Sequence, residues 1–287
     1  MKRIIYIIIG ITACLTSYAA GLGSVKALPQ DSVTICRLLS EAKKQPASTC
    51  MPLFFAQKFV GIPYVAHTLE GDKQERLVVN TRQLDCTTLV ETVTALTLCA
   101  QRKDYSWQAY QQALVGLRYR GGVINGYPSR LHYFTEWITD NTKAGVVSEV
   151  QAPNPPFTAV QTVKVNYMST HPKSYQALKE HPKYVSAIAK QERLVSGAKY
   201  RYIPKKLVGK SQMLRKAIKD GDIIAITCNK AGLDIAHLGF AVWRADGLHL
   251  LNASQLHHKV VLEPMTLYQY LKKHPSHTGI RIIRITK

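Results

Sequence analysis

Nothing in this chain narrows the choice of fold as sharply as its C-terminal third. There, short β-rich runs follow one another with turn signals between them: Asp222 to Thr227, His237 to Trp243, His249 to Asn252 and Ile280 to Ile285. Ala245-Asp246-Gly247 is a hairpin turn between the second and third runs. Strands joined this tightly pair antiparallel, because a parallel pair needs a crossover of a dozen residues or more. Upstream the periodicity is helical. Apolar residues recur at helical spacing from about Ser32 to Phe59, and Pro46 and Pro52 divide that stretch into two helices. A strand is expected around Leu77 to Val79. Asp85 then offers an N-cap to a helix whose Leu89, Val93 and Leu96 share one face. Another helix is expected from Trp107 to Leu117, and Ser129 is placed to cap a third near Leu131 to Ile138. Helices first and a meandering antiparallel sheet afterwards define an α+β fold.

At 287 residues and 46% hydrophobic, the chain can bury a full core. Its 38 Lys plus Arg stand against 18 Asp plus Glu, a formal charge of +20 that attracts something acidic: nucleic acid, anionic lipid or anionic glycan. The basic residues are scattered singly or in pairs, such as Lys43-Lys44, Lys205-Lys206 and Lys272-Lys273, with no aromatic-interleaved platform. A solvated basic face is therefore expected, and nucleic acid is not the expected partner. Residues 1–19 read as an export signal: Lys2 and Arg3 precede an apolar run from Ile4 to Ala13 too short to span a bilayer. Cleavage after Ala19, or lipidation of Cys14 in a lipobox-like Ile11-Thr12-Ala13-Cys14, would follow. Residues 20–287 would then form one domain in the periplasm, a monomer with no membrane contact beyond an N-terminal lipid. In an oxidising compartment, Cys36 and Cys50 are the expected disulfide pair by position. No CxxC or paired Cys and His spacing occurs, so no metal or other cofactor is expected.

Cys86 falls in the first turn of the helix capped by Asp85. There the unpaired backbone N–H groups favour thiolate over thiol. A lone helix-start cysteine is as readily a small buried hydrophobe, so the question is whether a base is within reach. His237 opens a strand in Ala236-His237-Leu238-Gly239-Phe240, and Asn252 ends the next. Across the Asp246-Gly247 hairpin, the start of one strand lies near the end of the other. An Asn oxygen there can accept from one ring nitrogen and aim the other at the thiol.

Asp85-Cys86, Gly221-Asp222, His237-x-Gly239 and Asn252-Ala253-Ser254 resemble the signature of NlpC-like papain-fold cell-wall hydrolases. Gly61-Ile62-Pro63-Tyr64, Leu84 to Glu91, Arg130-Leu131-His132-Tyr133, Met168 to His171 and Tyr202-Ile203-Pro204 resemble the N-acetylmuramoyl-L-alanine amidase-like branch of that clan. The resemblance implies a papain-like fold with a large helical insertion, about residues 100–210, between Cys86 and His237. It implies a cysteine amidase acting on the bond between N-acetylmuramic acid, including its anhydro form, and L-Ala of peptidoglycan fragments. Cys86, His237 and Asn252 would be the catalytic residues. Tyr64 and Asp85 would serve the oxyanion and substrate, and Arg130, His132 and Tyr133 would line the pocket. Two alternatives remain open from sequence: an endopeptidase cutting between D-Glu and the diamino acid, and a non-catalytic wall-binding protein.

Overall fold

The computed structural model describes residues 25–72 and 74–286, so the proposed export signal and Cys14 lie outside the described residues. Helix α1 (Pro29–Lys43) and helix α2 (Met51–Lys58) are the two helices expected before Phe59. Pro52 lies in the first turn of α2, where a proline costs no hydrogen bond, and so it begins that helix. Helix α3 (Cys86–Arg102) starts at Asp85. The Asp85 carboxylate accepts from the Thr88 backbone N–H at 2.8 Å, and the Thr88 hydroxyl accepts from the Asp85 N–H at 2.9 Å. Leu89, Val93 and Leu96 are fully buried, each worth about 2 kcal/mol of apolar burial. Helix α4 is Trp107–Arg118 and helix α5 Phe134–Lys143. The helix expected from Ser129 thus begins later. Ser129 ends a short 3₁₀ turn containing Pro128, and Tyr133 holds the cap position of α5.

The segment from about 100 to 210 is not helical throughout. It carries strands β1 (Val147–Val150), β2 (Ala159–Thr162) and β3 (Lys199–Pro204) along with helices α6 (Tyr167–Thr170), α7 (Gln176–Glu180) and α8 (Lys183–Val195). Tyr127, Tyr133, Val163, Val165, Met168, Leu178 and Ile188 close a small core of its own. Helix α9 (Ser211–Ala217) follows, then strands β4 (Ile223–Cys228), β5 (Ile235–Arg244), β6 (Gly247–Ser254) and β7 (Lys259–Leu262), helix α10 (Leu267–Lys272) and strand β8 (His277–Ile285). Leu77 to Val79 makes only a single bridge, Lys26 with Val78, and not a strand.

All the strand pairs are antiparallel, in the order β2-β3-β8-β4-β5-β6-β7, with β1 also pairing β8. The fold is mixed α+β, as the order of elements predicts. Helices cover both faces of the sheet. Ile223, Ala225, Leu238 and Phe240 pack with α1 to α5 on one face, while Ile224, Ile226, Ala241 and Leu250 pack with α9 and α10 on the other. Strand β4 is therefore buried at every position, which is why it reads as a continuous apolar run. The expected Cys36–Cys50 disulfide is absent, since both thiols are free. Cys36 sits on the exposed face of α1, whereas the Cys50 thiol donates to the Asp220 carbonyl at 3.3 Å.

Candidate active site

Three chain ends meet at one edge of the sheet. The start of α3 brings Cys86, the start of β5 brings His237, and the far end of β6 brings Asn252. The β5–β6 hairpin runs in register from Phe240 opposite Leu251 to Arg244 opposite Gly247. That register carries the first residues of β5 to the last residues of β6, so His237 and Asn252 become neighbours. The His237 Nε2–H donates to Asn252 Oδ1 at 2.9 Å, and Asn252 Nδ2 reaches the Leu250 carbonyl at 3.4 Å. Asn252 is fully buried. Its amide is oriented by those two partners, so the ring proton stays on Nε2 and the lone pair on Nδ1.

Cys86 is partly exposed, and the backbone N–H of Leu238, the residue after His237, is among the groups that favour its thiolate. The thiol is not the ready thiolate that its helix-start position suggests. Burial, and then the Asp85 carboxylate, push its pKa up to about 12 against the Leu238 N–H and the Thr87 hydroxyl. Desolvation here exceeds the helix field, because a helix terminus contributes only about 0.3–2 kcal/mol. Burial holds His237 below the ordinary histidine range, opposed by its bond to Asn252. At neutral pH the pair is thus a thiol and an uncharged imidazole.

A single parallel bridge between Tyr64 and Leu84 sets Tyr64 beside the start of α3. Its hydroxyl is pushed up to about 12 by burial and then by Cys86 and Asp85, so it stays a hydrogen-bond donor. Sequence reasoning missed Tyr270. Its ring stacks on His237 at a centroid distance of 6.3 Å, and burial, Glu263 and Cys86 push its hydroxyl up to about 12. His274 and His277 lie against the same ring, at centroid distances of 4.4 and 6.0 Å. No local pattern announces these residues, because α10 reaches the site only by packing across the sheet. His257, exposed in the turn between β6 and β7, lies 3.3 Å from the buried Glu263 carboxylate.

The three residues expected to line the substrate pocket are otherwise engaged. Arg130 is buried, with Nε and Nη2 on the Glu75 carboxylate at 3.1 and 2.8 Å and Nη1 on Glu70 at 2.7 Å. It lines a cleft of about 370 Å³ with Tyr127, Tyr184 and those carboxylates, and the cleft does not include Cys86 or His237. The buried Tyr133 donates its hydroxyl to Glu192 at 2.7 Å and accepts from the Met168 N–H. His132 donates from Nε2 to the Tyr127 carbonyl, and burial, with Arg130 beside it, lowers its pKa to about 3. These side chains hold the insertion together. The resemblance assigns them to substrate, but their donors are already used within the protein.

Comparison with known proteins gives the family and the fold. The model of the AmiA-like family, described as N-acetylmuramoyl-L-alanine amidase-like, matches residues 54–280. The fold is similar to that of an N-acetylmuramoyl-L-alanine amidase from Bacteroides uniformis, with 40% identity and a TM-score of 0.78, covering 86% of this chain and 100% of that one. It is also similar to a Bacteroides fragilis protein named as a proposed xylanase, with 42% identity and a TM-score of 0.76, covering 80% and 99%. A Legionella pneumophila protein, 22% identical with a TM-score of 0.70 over 90% of this chain and 95% of that one, shares the fold. No curated protein matches the chain. The chain belongs to the N-acetylmuramoyl-L-alanine amidase-like family.

Proposed function

We propose that the protein is a cysteine amidase of papain-like, NlpC-type fold that hydrolyses the bond between N-acetylmuramic acid and L-Ala in peptidoglycan fragments, anhydro forms included. One observation carries this reading. The 2.9 Å bond from His237 Nε2 to Asn252 leaves Nδ1 as the basic nitrogen, on the residue next to Leu238, whose N–H favours the Cys86 thiolate. In the first step the sulfur attacks the lactyl carbonyl carbon while Nδ1 takes the thiol proton. The carbonyl oxygen becomes an oxyanion, to which the N–H groups at the start of α3 and the Tyr64 hydroxyl can donate. Collapse breaks the C–N bond, and His237 passes its proton to the departing L-Ala nitrogen. Water, deprotonated by His237, then attacks the thioester, releasing the muramic acid carboxylate and restoring the thiol. The names of the Bacteroides uniformis relative and of the family point to the same bond. Action on wall fragments would require export, for which residues 1–19 are the candidate signal.

The thioester is the test. In a rapid acid quench during turnover of a muropeptide, intact-protein mass spectrometry should find a muramoyl acyl adduct that maps to Cys86. Cys86→Ala should remove the adduct and all measurable hydrolysis while remaining folded. His237→Ala should cost about 10⁴-fold or more in kcat, and Asn252→Ala about 10- to 100-fold, since it only orients the ring. Full activity in Cys86→Ala would overturn the cysteine mechanism.

A further inference from the structure

We propose that the wall of the site beyond His237 is a carboxylate-binding subsite, built by Lys205, His274 and His277 against Tyr270, that takes a free carboxylate of the peptide on the leaving side of the scissile bond. The proposal rests on the amidase reading above. Four rings form one cluster that includes the catalytic base, with His277 also 6.0 Å from Tyr270. His237 is 6.3 Å from Tyr270, Tyr270 is 4.4 Å from His274, and His274 is 4.7 Å from His277 at an interplanar angle of 14°. Backbone bonds hold the array. His274 Nδ1 donates to the Tyr270 carbonyl at 2.8 Å, and Lys205 Nζ donates to the His274 carbonyl at 2.9 Å, which brings the ammonium to the cluster.

Two features distinguish this group from ordinary packing. His277 is 7% exposed, yet its Nδ1 meets no hydrogen-bond partner among the described residues, although buried polar atoms are normally satisfied. The groups that bear on it are also of one sign. Burial first, then His274, His237, Lys205 and Lys230, hold its pKa down near 4. The nearby carboxylate that acts on Tyr270 is Glu263, which is paired with His257. A site that brings two ammonium groups to bear on a buried, unpartnered imidazole nitrogen is stabilised by an anion.

The substrate offers one at a suitable reach. With about 3.8 Å between successive Cα atoms, the carboxylate of the second stem residue lies about 7 Å from the carbonyl under attack. The Tyr270 ring, against which His274 and His277 pack, lies 6.3 Å from His237. A carboxylate held there would position the L-Ala nitrogen for the proton from His237.

The test compares N-acetylmuramoyl-L-Ala-D-Glu with the same compound carrying an α-amide on its D-Glu. The wild-type protein should prefer the acid by about tenfold or more in kcat/KM, and Lys205→Gln and His277→Gln should each bring that ratio towards one. Lys205 is partly exposed, so its variant serves should the His277 variant fail to fold. Binding of both compounds to Cys86→Ala, measured by calorimetry, reads the same preference without chemistry. Equal binding of acid and amide, or variants that keep the wild-type ratio, would overturn the subsite. Hydrolysis of neither compound by wild type, with the acid still bound more tightly, would instead reject the amidase reading and leave the subsite standing.

Discussion

At the scale of single residues, burial decides the protonation states on which the chemistry depends. The sequence placed Cys86 at a helix start and correctly implied a favourable field, but it gave no measure of how far the sulfur is desolvated. The outcome is a protonated thiol beside a neutral His237. Such a pair is active while the imidazole is uncharged, so activity is lost as pH falls through the lowered His237 pKa. The acid limb of kcat/KM should therefore have its midpoint below 6.5, the ordinary histidine value, and the rate should stay flat to about pH 9. A bell with an alkaline fall near pH 8 would mean a thiolate–imidazolium pair. Asp85→Asn offers a separate check, because Asn caps a helix as well as Asp does but removes the charge that opposes thiolate formation. Alkylation of Cys86 at fixed pH should become faster in that variant, and no change would show that the Asp85 charge does not reach the sulfur. The exposed Cys36 will also be labelled, so loss of activity must be matched to Cys86 by peptide mapping. Cys86, His237 and Asn252 were legible because each stands at the end of a recognisable element. Tyr270, His274 and His277 were not, since only tertiary packing brings them to the site.

At the scale of elements, helix α3 carries the proposed nucleophile and is held by more than apolar contact. Arg118 of α4 donates from Nε to the Glu91 carboxylate at 2.7 Å and from Nη1 to the Val78 carbonyl at 2.7 Å, with both charged side chains at most 3% exposed. Removing one member strands the other charge in the core, so Arg118→Met should destabilise the protein by about 3–5 kcal/mol in urea unfolding. The double variant Arg118→Met, Glu91→Leu should recover most of that loss, because no charge is then stranded. A single-variant loss below about 1 kcal/mol would show that the pair is not what ties α3 to α4. The same scale explains which strands could be read in advance. Strands β4, β5, β6 and β8 bury long apolar runs and announce themselves. By contrast, β1, β2 and β3 are mostly half-buried, with one fully buried position at most in each, and they are strands because β8 and each other's edges pair them.

For the whole molecule, the order of helices and strands was enough to predict an antiparallel α+β fold, whereas the contents of the long insertion were not. Arg281 shows why. It is fully buried on β8, bonded to Glu149 of β1 at 2.6 and 3.0 Å and to the Thr135 hydroxyl of α5 at 2.7 Å, and it lies 4.0 Å from the centre of the Tyr200 ring of β3. One basic residue in the last strand thus ties the insertion to the sheet across more than a hundred residues of sequence, a pairing no local pattern reveals. The Arg130 cluster is similar: it bonds Glu70 and Glu75, 60 and 55 residues away in sequence, in an internal ion-pair network that no local pattern reveals. Where the cut falls is the claim on which the account stands, and mass spectrometry of the products from a muramoyl tripeptide measures it. The account predicts free muramic acid derivative together with the whole L-Ala-starting peptide, and the same peptide without its sugar should be left intact. A muramyl dipeptide with a shortened peptide would contradict it and make the protein an endopeptidase, while uncut substrate that still binds would make it a wall-binding protein.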